Sequence, residues 1–423
     1  MSLMARIRAA APPSAVVAGL IAVTVGVTSS AALVFTAAKA AGADSREISS
    51  WMLALAVGMA VTGIGLSVRY RAPVVIAWST PGAALLATSL SGVPMAQAVG
   101  AFLFSALLIL ASGVTGWFAR AMGRIPVPMA AALLAGVLLQ FGTGLFTTMH
   151  GSFAVVFPMF VAYLLGRRLL PRYAVLLALA AGIVATVFTG GWHAERVRLS
   201  VATPVFVPPD FDWKVLISVG VPLFVVTMAS QNLPGVAVLR GAGYDVPVSP
   251  LMTWTGAANL LLAPFGAYGL NLAAITAAIC TSEEAHPDRR KRYVAAVWAA
   301  LFYLCVGVLG ATVASLLDAM PHPLVLGIAG IGLLATVTSS LATALSDTAS
   351  REAAMVTFLA TASGVTLLGI GSAFWGLLAG VLTSVILSTG RKRPEPDAPA
   401  PDATSTTHRP ELSAPSSAPV PET

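Results

Sequence analysis

Two short stretches of the 423-residue chain set proline, glycine and small polar side chains inside otherwise apolar sequence: "VVIAWSTPGAALLA" at 74–87 and "APFGAYGLNLAAITAA" at 263–278. Pro81 has no backbone N–H and Gly82 tolerates many backbone angles, so the chain is expected to run extended to this point and start a short helix there. Ser79 and Thr80 are placed to cap that helix, whose first turn presents N–H groups and a positive dipole end. Such an end inside an apolar layer suits an anion. The second stretch offers Phe265, Tyr268, Gly269 and Asn271 ahead of "LAAITAAI", and a half-helix starting near Gly269 would turn a second positive end toward the first. With Phe265 and Tyr268 beside it, the combination fits a small anion carrying an apolar ring better than sulfate or phosphate. The alternative for each aromatic is lipid contact or core packing.

A third polar patch, "MASQNLPG", puts Ser230, Gln231 and Asn232 in an apolar helix. Uncompensated burial of two amides is costly, so they must bond to protein, water or ligand. Substrate contact or support of the half-helices is one reading, and an interhelical clamp the other. Thr28-Ser29-Ser30 is a weaker counterpart, because hydroxyls satisfy themselves on helix carbonyls. No Asp, Glu or His lies deep in an apolar run. Glu283 and Glu284, ending the tenth apolar segment, are the best carboxylates for proton coupling, with a solvated cap beside Arg289–Arg292 as the alternative. HExxH, Walker-type, paired-cysteine and Ser/His/Asp patterns are absent, which argues against an enzyme and an ATP-driven pump. Two cysteines and five scattered histidines make no credible metal cluster, and no cofactor is called for.

These residues must be held by membrane helices. The chain is 57% hydrophobic and 10% charged, with mean hydropathy +0.86, whereas a soluble domain carries about 25% charged residues. Apolar runs at 14–40, 49–68, 74–90, 95–118, 126–144, 151–166, 172–190, 213–239, 249–264, 269–281, 290–314, 323–343, 350–368 and 371–389 give about fourteen segments. Two of them, 74–90 and 269–281, are shorter than the roughly 20 residues a crossing helix needs. With the N-terminus inside, 18 of the 24 Lys and Arg residues fall on the inner side and five on the outer, Arg409 lying in the tail. The net charge of +7 is thus a matter of topology, not nucleic-acid binding. The first apolar segment follows Arg6 and Arg8 but is read as a retained helix, since many more spans follow. From Gly390 the chain is a proline-rich tail expected to be disordered and cytoplasmic.

Taking 14–190 and 212–389 as halves gives 177 and 178 residues with seven segments each, and 191–211 as a periplasmic linker. An odd count per half implies an inverted repeat, and matched short, Gly/Pro-interrupted segments point to a midplane binding site. The alternative is glycine-rich helix packing.

The segments "VGVTSSAALVFTAAKAAG" (25–42), "YRAPVVIAWSTPGAALLA" (70–87), "TMASQNLPGVAVLRGAGYDVPVSPL" (227–251) and "LLAPFGAYGLNLAAITAAICTSEEAHPD" (261–288) strongly resemble the BenE family of bacterial benzoate:proton symporters. The resemblance covers roughly residues 10–389. It implies an all-α polytopic inner-membrane carrier with cytoplasmic termini 1–13 and 390–423, importing benzoate or a related aromatic carboxylate with a proton by alternating access. It also implies distant similarity to nucleobase and sulfate/bicarbonate transporters, whose core domain comprises segments 1–4 and 8–11 and whose gate comprises 5–7 and 12–14. Substrate there lies between the half-helices of segments 3 and 10. Carried to this chain, that puts Ser79, Thr80 and Gly82 on one side, Phe265, Tyr268, Gly269 and Asn271 on the other, and Ser230, Gln231 and Asn232 in segment 8. Nucleobase members use acidic residues in segments 8 and 10; Gln231, Asn232 and Asn271 stand here instead, leaving the proton site unassigned. An exporter, uniporter or channel for small organic anions, or a nucleobase-type permease, is the alternative. Membrane lipid is the surrounding partner, nucleic acid is not expected, and dimers among the apparent relatives leave a homodimer open.

Overall fold

The computed structural model describes residues 12–121, 127–189, 199–367 and 372–388. The N-terminal residues 1–11, part of the expected linker (191–198) and the tail 390–423 lie outside the described residues. Residues to Ser384 group into one compact unit, and Val385–Ser388, the described part of the second, end the last helix.

The first half runs α1 (Pro13–Ala40), α2 (Ser45–Tyr70), β1 (Ile76–Trp78), α3 (Thr80–Ser89), α4 (Met95–Val114), α5 (Trp117–Ala121), α6 (Val127–Gly151), α7 (Phe153–Leu169) and α8 (Ala174–Phe188). The second runs α9 (Trp213–Gly241), α10 (Val248–Leu262), β2 (Leu270–Leu272), α11 (Ile275–Thr281), α12 (Tyr293–Val308), α13 (Gly310–Ala319), α14 (His322–Ala344), α15 (Arg351–Ala362) and α16 (Ser372–Ser388). Each expected segment meets one of these elements. The run 290–314 divides at Leu309, which ends α12 and precedes α13. Among the described residues six helices are long and apolar enough to cross a membrane alone: α2, α4, α6, α9, α14 and the run Arg289–Val308 that contains α12. The expected extended pieces at the two broken segments are present as β1 and β2.

Local chemistry explains the joints. Asp44 begins α2 with a capping box: its carboxylate accepts from the Arg46 and Glu47 N–H groups at 2.8 Å, while Glu47 accepts from the Asp44 N–H at 2.8 Å. Helix α1 bends by 41° between Thr28 and Ser30. The Thr28 and Ser30 hydroxyls donate to the Thr24 and Gly26 carbonyls, both at 2.6 Å, and such back-bonding competes with the helix's own hydrogen bonds. In α9, two wide π-turns cover Leu216–Gly220 and Met228–Asn232. Pro222 and Pro234 follow them and cannot donate to the carbonyls of Ser218 and Ser230, so the helix widens where its ladder is interrupted.

Helix α12 packs along α1 and α2, α10 along α4, and α14 along α6. The α12–α2 approach depends on Gly307, where a side chain would overlap Ala56. One buried apolar cluster holds Leu33, Trp51, Leu55, Phe102, Leu223 and Leu270. A second, with Leu145, Val156, Met159, Leu324 and Ile328, is built mainly from α6, α7, α8 and α14. Large apolar side chains such as Val61, Val184, Leu261 and Leu359 are exposed on the outside, as a lipid-facing surface requires.

Candidate functional site

The two broken segments meet as an antiparallel pair, with Ile76 opposite Leu272, Ala77 opposite Asn271 and Trp78 opposite Leu270. The Ser79 N–H donates to the Gly269 carbonyl at 2.7 Å and the Ala273 N–H to the Val75 carbonyl at 2.9 Å, extending the pair at both ends. A two-stranded ribbon leaves outer edges whose polar groups find no water within a membrane. Buried asparagines fill that need. Asn259 of α10 accepts from the Leu270 N–H at 2.8 Å and donates to its carbonyl at 3.0 Å. Asn232 of α9 accepts from the Leu272 N–H at 2.9 Å and donates to the Met228 sulfur at 3.2 Å. Asn271 donates to the Gly269 carbonyl at 3.0 Å, and its own carbonyl oxygen is buried without a partner.

Helix α3 starts where the proline and glycine place it. Ser79 is its N-cap, accepting from the Gly82 N–H at 2.9 Å, while the Ala83 N–H donates to the Ser79 carbonyl at 2.8 Å. Thr80 is the first helical residue rather than a second cap. The second half-helix departs from expectation: Gly269 begins the strand region, and α11 starts at Ile275, with Ala274 as an N-cap that supplies no side-chain bond. Pairing with β1 holds residues 270–272 extended and delays the helix. The second positive end expected near Gly269 is therefore absent from that position, and the Gly82 N–H at the first is already given to Ser79 Oγ.

A cavity of about 660 Å³ lies over this junction. Thr28 and Ser30 of α1, Trp78, Thr80 and Pro81 of the first break, and Ser230 and Gln231 of α9 line one side, together with Thr276 of α11 and Tyr303 of α12. Ala131 and Leu134 of α6 and Thr336, Ser340 and Thr343 of α14 line the other, and Arg167 and Pro171 border it. The site residues read from the sequence therefore separate. Thr80, Ser230 and Gln231 line the cavity. Ser79, Gly82, Asn232, Gly269 and Asn271 form the frame behind it. Phe265 meets Phe206 edge-on at 5.8 Å, and Tyr268 packs in the core against Trp51 at 5.8 Å and Phe102 at 6.0 Å. Neither ring is among the lining residues. The rings that are belong to Trp78 and Tyr303, which sequence reasoning missed; they meet edge-to-face at 5.7 Å, and the Trp78 indole N–H donates to Ser30 Oγ at 2.7 Å. Asn259 was also missed, although a lone amide in the apolar run "GAANLLLAP" carries the same signal as Asn232.

Glu283 and Glu284 lie in the exposed turn after α11, outside the cavity lining, and the Glu283 carboxylate is 3.9 Å from Arg292. Arg292 itself is buried. Its guanidinium donates to the carbonyls of Thr281, the last residue of α11, at 2.8 Å and of His286 at 2.7 Å, placing positive charge at the helix's negative end. Nearby, burial pushes the Tyr244 phenol up from its usual range against the pull of Arg292 and Arg289, and the phenol donates to the Arg289 carbonyl at 2.7 Å. Replacing Arg292 by alanine is expected to cost about 1–3 kcal/mol by leaving the Thr281 carbonyl buried and unpaired. Thermal unfolding in detergent would read that loss, with Arg292→Lys falling between the two because a single ammonium cannot reproduce the fork.

A family model described as "Benzoate membrane transport protein" matches residues 9–386. The inner membrane protein YdcO of Escherichia coli strain K12 is 46% identical over 377 residues, covering 89% of this chain and 96% of that protein. The benzoate membrane transport protein of Acinetobacter baylyi is 37% identical over 374 residues, covering 88% and 95%. Among solved structures, SLC26A9 aligns with a TM-score of 0.62 at 15% identity, over 90% of this chain and 66% of that one. The transmembrane domain of the cyanobacterial bicarbonate transporter BicA aligns with a TM-score of 0.55 at 14% identity, over 89% and 97%. At such identities these two structures establish the fold alone.

Proposed function

The chain belongs to the BenE family of benzoate membrane transport proteins, is a mostly helical membrane transporter rather than an enzyme, and from that premise we propose that it moves benzoate or a related aromatic carboxylate, with a proton, across the bacterial inner membrane. The observation that carries this reading is the 660 Å³ cavity, where the ends of both broken segments, two aromatic rings and a cluster of hydroxyls and one amide converge. A benzene ring fits against Trp78 and Tyr303. Its carboxyl group fits toward Thr80, Ser230 and Gln231, with Ser79, Gly82, Asn232, Gly269 and Asn271 holding the frame and Phe265 and Tyr268 bracing it from behind.

The architecture we propose is fourteen segments as an inverted repeat, 14–190 and 212–389, joined by a periplasmic linker and ending in cytoplasmic termini. Segments 1–4 and 8–11 form a core, and 5–7 and 12–14 a gate. The separate apolar cluster of α6, α7, α8 and α14 supports that division. The distribution of Lys and Arg puts Arg167 and the end of α14 at the cytoplasmic face, so the cavity is read as opening inward, one end state of an alternating-access cycle.

The test is uptake of radiolabelled benzoate into proteoliposomes with and without an inward proton gradient at matched membrane potential. Saturable, gradient-driven accumulation supports the symporter; gradient-independent flux favours a uniporter or channel, and lack of benzoate flux with uptake of another organic anion or a nucleobase overturns the substrate. Gln231→Ala is expected to raise the apparent KM about threefold to tenfold, the worth of one hydrogen bond, with membrane insertion intact. Unchanged kinetics would remove Gln231 from the site.

A further inference from the structure

The cavity has almost nowhere to keep a proton. Among its described lining residues there is no Asp, Glu, His, Lys or Cys, and Arg167 and Tyr303 are the only side chains that ionise. The lining presents hydrogen-bond acceptors beside its donors, and a bare carboxylate can only accept. The hydroxyl protons of Thr28 and Ser30 are committed to helix carbonyls at 2.6 Å, so these side chains offer lone pairs to the cavity. The Trp78 indole N–H is committed to Ser30, and the Gly82 and Ala83 N–H groups to Ser79. Oxygen acceptors facing a ligand ask for a donor, and a carboxylic acid O–H supplies one. Thr80, Ser230, Gln231 and Tyr303 can then donate to its carbonyl oxygen. Desolvation points the same way: burial favours the neutral form of a carboxyl group and penalises the charged one.

We propose that the coupled proton travels on the substrate, so that the species enclosed during transport is the uncharged aromatic acid. This rests on the reading of the cavity as an aromatic-carboxylate site. On the outer side the carboxylate takes a proton from hydronium, forming the O–H bond and releasing water. On the inner side that bond breaks, the proton passes to water and the carboxylate leaves. One proton moves per substrate and no net charge crosses.

Protein in proteoliposomes, compared with protein-free vesicles, tests this with ligands that differ only in their proton. Benzoate is expected to accumulate on an inward proton gradient without current. Benzenesulfonate, which holds no proton at these pH values, is expected to show less than about a tenth of the benzoate rate, a deficit above 1.4 kcal/mol, and benzamide to exchange without current. Ring-fluorinated benzoates keep the carboxylate geometry while strengthening the acid. At fixed pH their apparent KM is expected to rise about tenfold for each unit fall in substrate pKa. Gradient-driven accumulation of benzenesulfonate, an inward current with benzamide, or a KM independent of acid strength would each overturn the proposal and leave benzoate symport standing. Absence of protein-dependent benzoate flux would instead overturn the transport reading beneath it.

Discussion

Replacing Asn259 by leucine is expected to destabilise the protein by about 2–6 kcal/mol, because it strands two buried backbone groups at about 1–3 kcal/mol each. Leucine keeps the volume, so the loss comes from the Leu270 N–H and carbonyl, which Asn259 alone satisfies from outside the strand pair. Asn232→Leu strands only the Leu272 N–H and is expected to cost about half as much. The consequence reaches function through position. Residues 270–272 fix where the chain leaves the strand for α11, and their partner strand leads directly into Ser79 and α3. A loosened pair lets both half-helix starts drift, and misplacement by an ångström is enough to lower a positioned contact severely. Benzoate uptake by surviving Asn259→Leu protein should therefore fall more than about tenfold. Detergent melting curves for the two variants decide the point: equal midpoints would mean that the strand edges are not what these amides serve.

The contrast between the two breaks shows what the chain discloses about itself. Proline removes a donor, glycine frees a backbone and serine caps, all within four residues, so the start of α3 at Thr80 is legible in Ser79-Thr80-Pro81-Gly82. The second break obeys no such local rule. Its glycines suggest a helix near Gly269, but residues 270–272 pair with a strand almost 200 positions earlier, and that partner is invisible in a window of ten. The aromatic residues fail for a related reason. In "APFGAYGLNL" nothing says which way a ring turns: Phe265 meets Phe206 and Tyr268 enters the core beside Trp51. Trp78 is a near miss, adjacent to the capping serine. Tyr303 sits in "AALFYLCVG", where a phenol among apolar residues reads as ordinary helix surface. Polar side chains in apolar runs carry a signal of their own, because a membrane makes each one answerable to a partner, as Asn232 and Asn259 are to the strand backbone. That rule singles out Gln231 and Asn232, and applied without exception it singles out Asn259 as well.

Trp78→Ala should cut benzoate transport more than tenfold and, unlike a folding defect, should open the site to a larger ring. The indole is almost fully buried, makes one face of the cavity and meets Tyr303 edge-to-face at 5.7 Å. Truncating a buried tryptophan costs about 3–5 kcal/mol of stability, so a lower melting temperature by itself is uninformative. Two further variants separate packing from recognition. Trp78→Phe keeps a smaller aromatic wall and loses the hydrogen bond to Ser30, a loss of about 0.5–1.5 kcal/mol for that bond. Its apparent KM for benzoate should rise about twofold to tenfold. Trp78→Ala removes the wall, and the space released lies against the ring of the bound acid. A naphthoate, excluded by the native indole, should then be carried by Trp78→Ala and compete with benzoate in that variant alone. Loss of structure can lower every rate, but it cannot create a preference for the larger acid. Naphthoate transport at equal efficiency by the native protein and the variant would place the substrate ring away from Trp78.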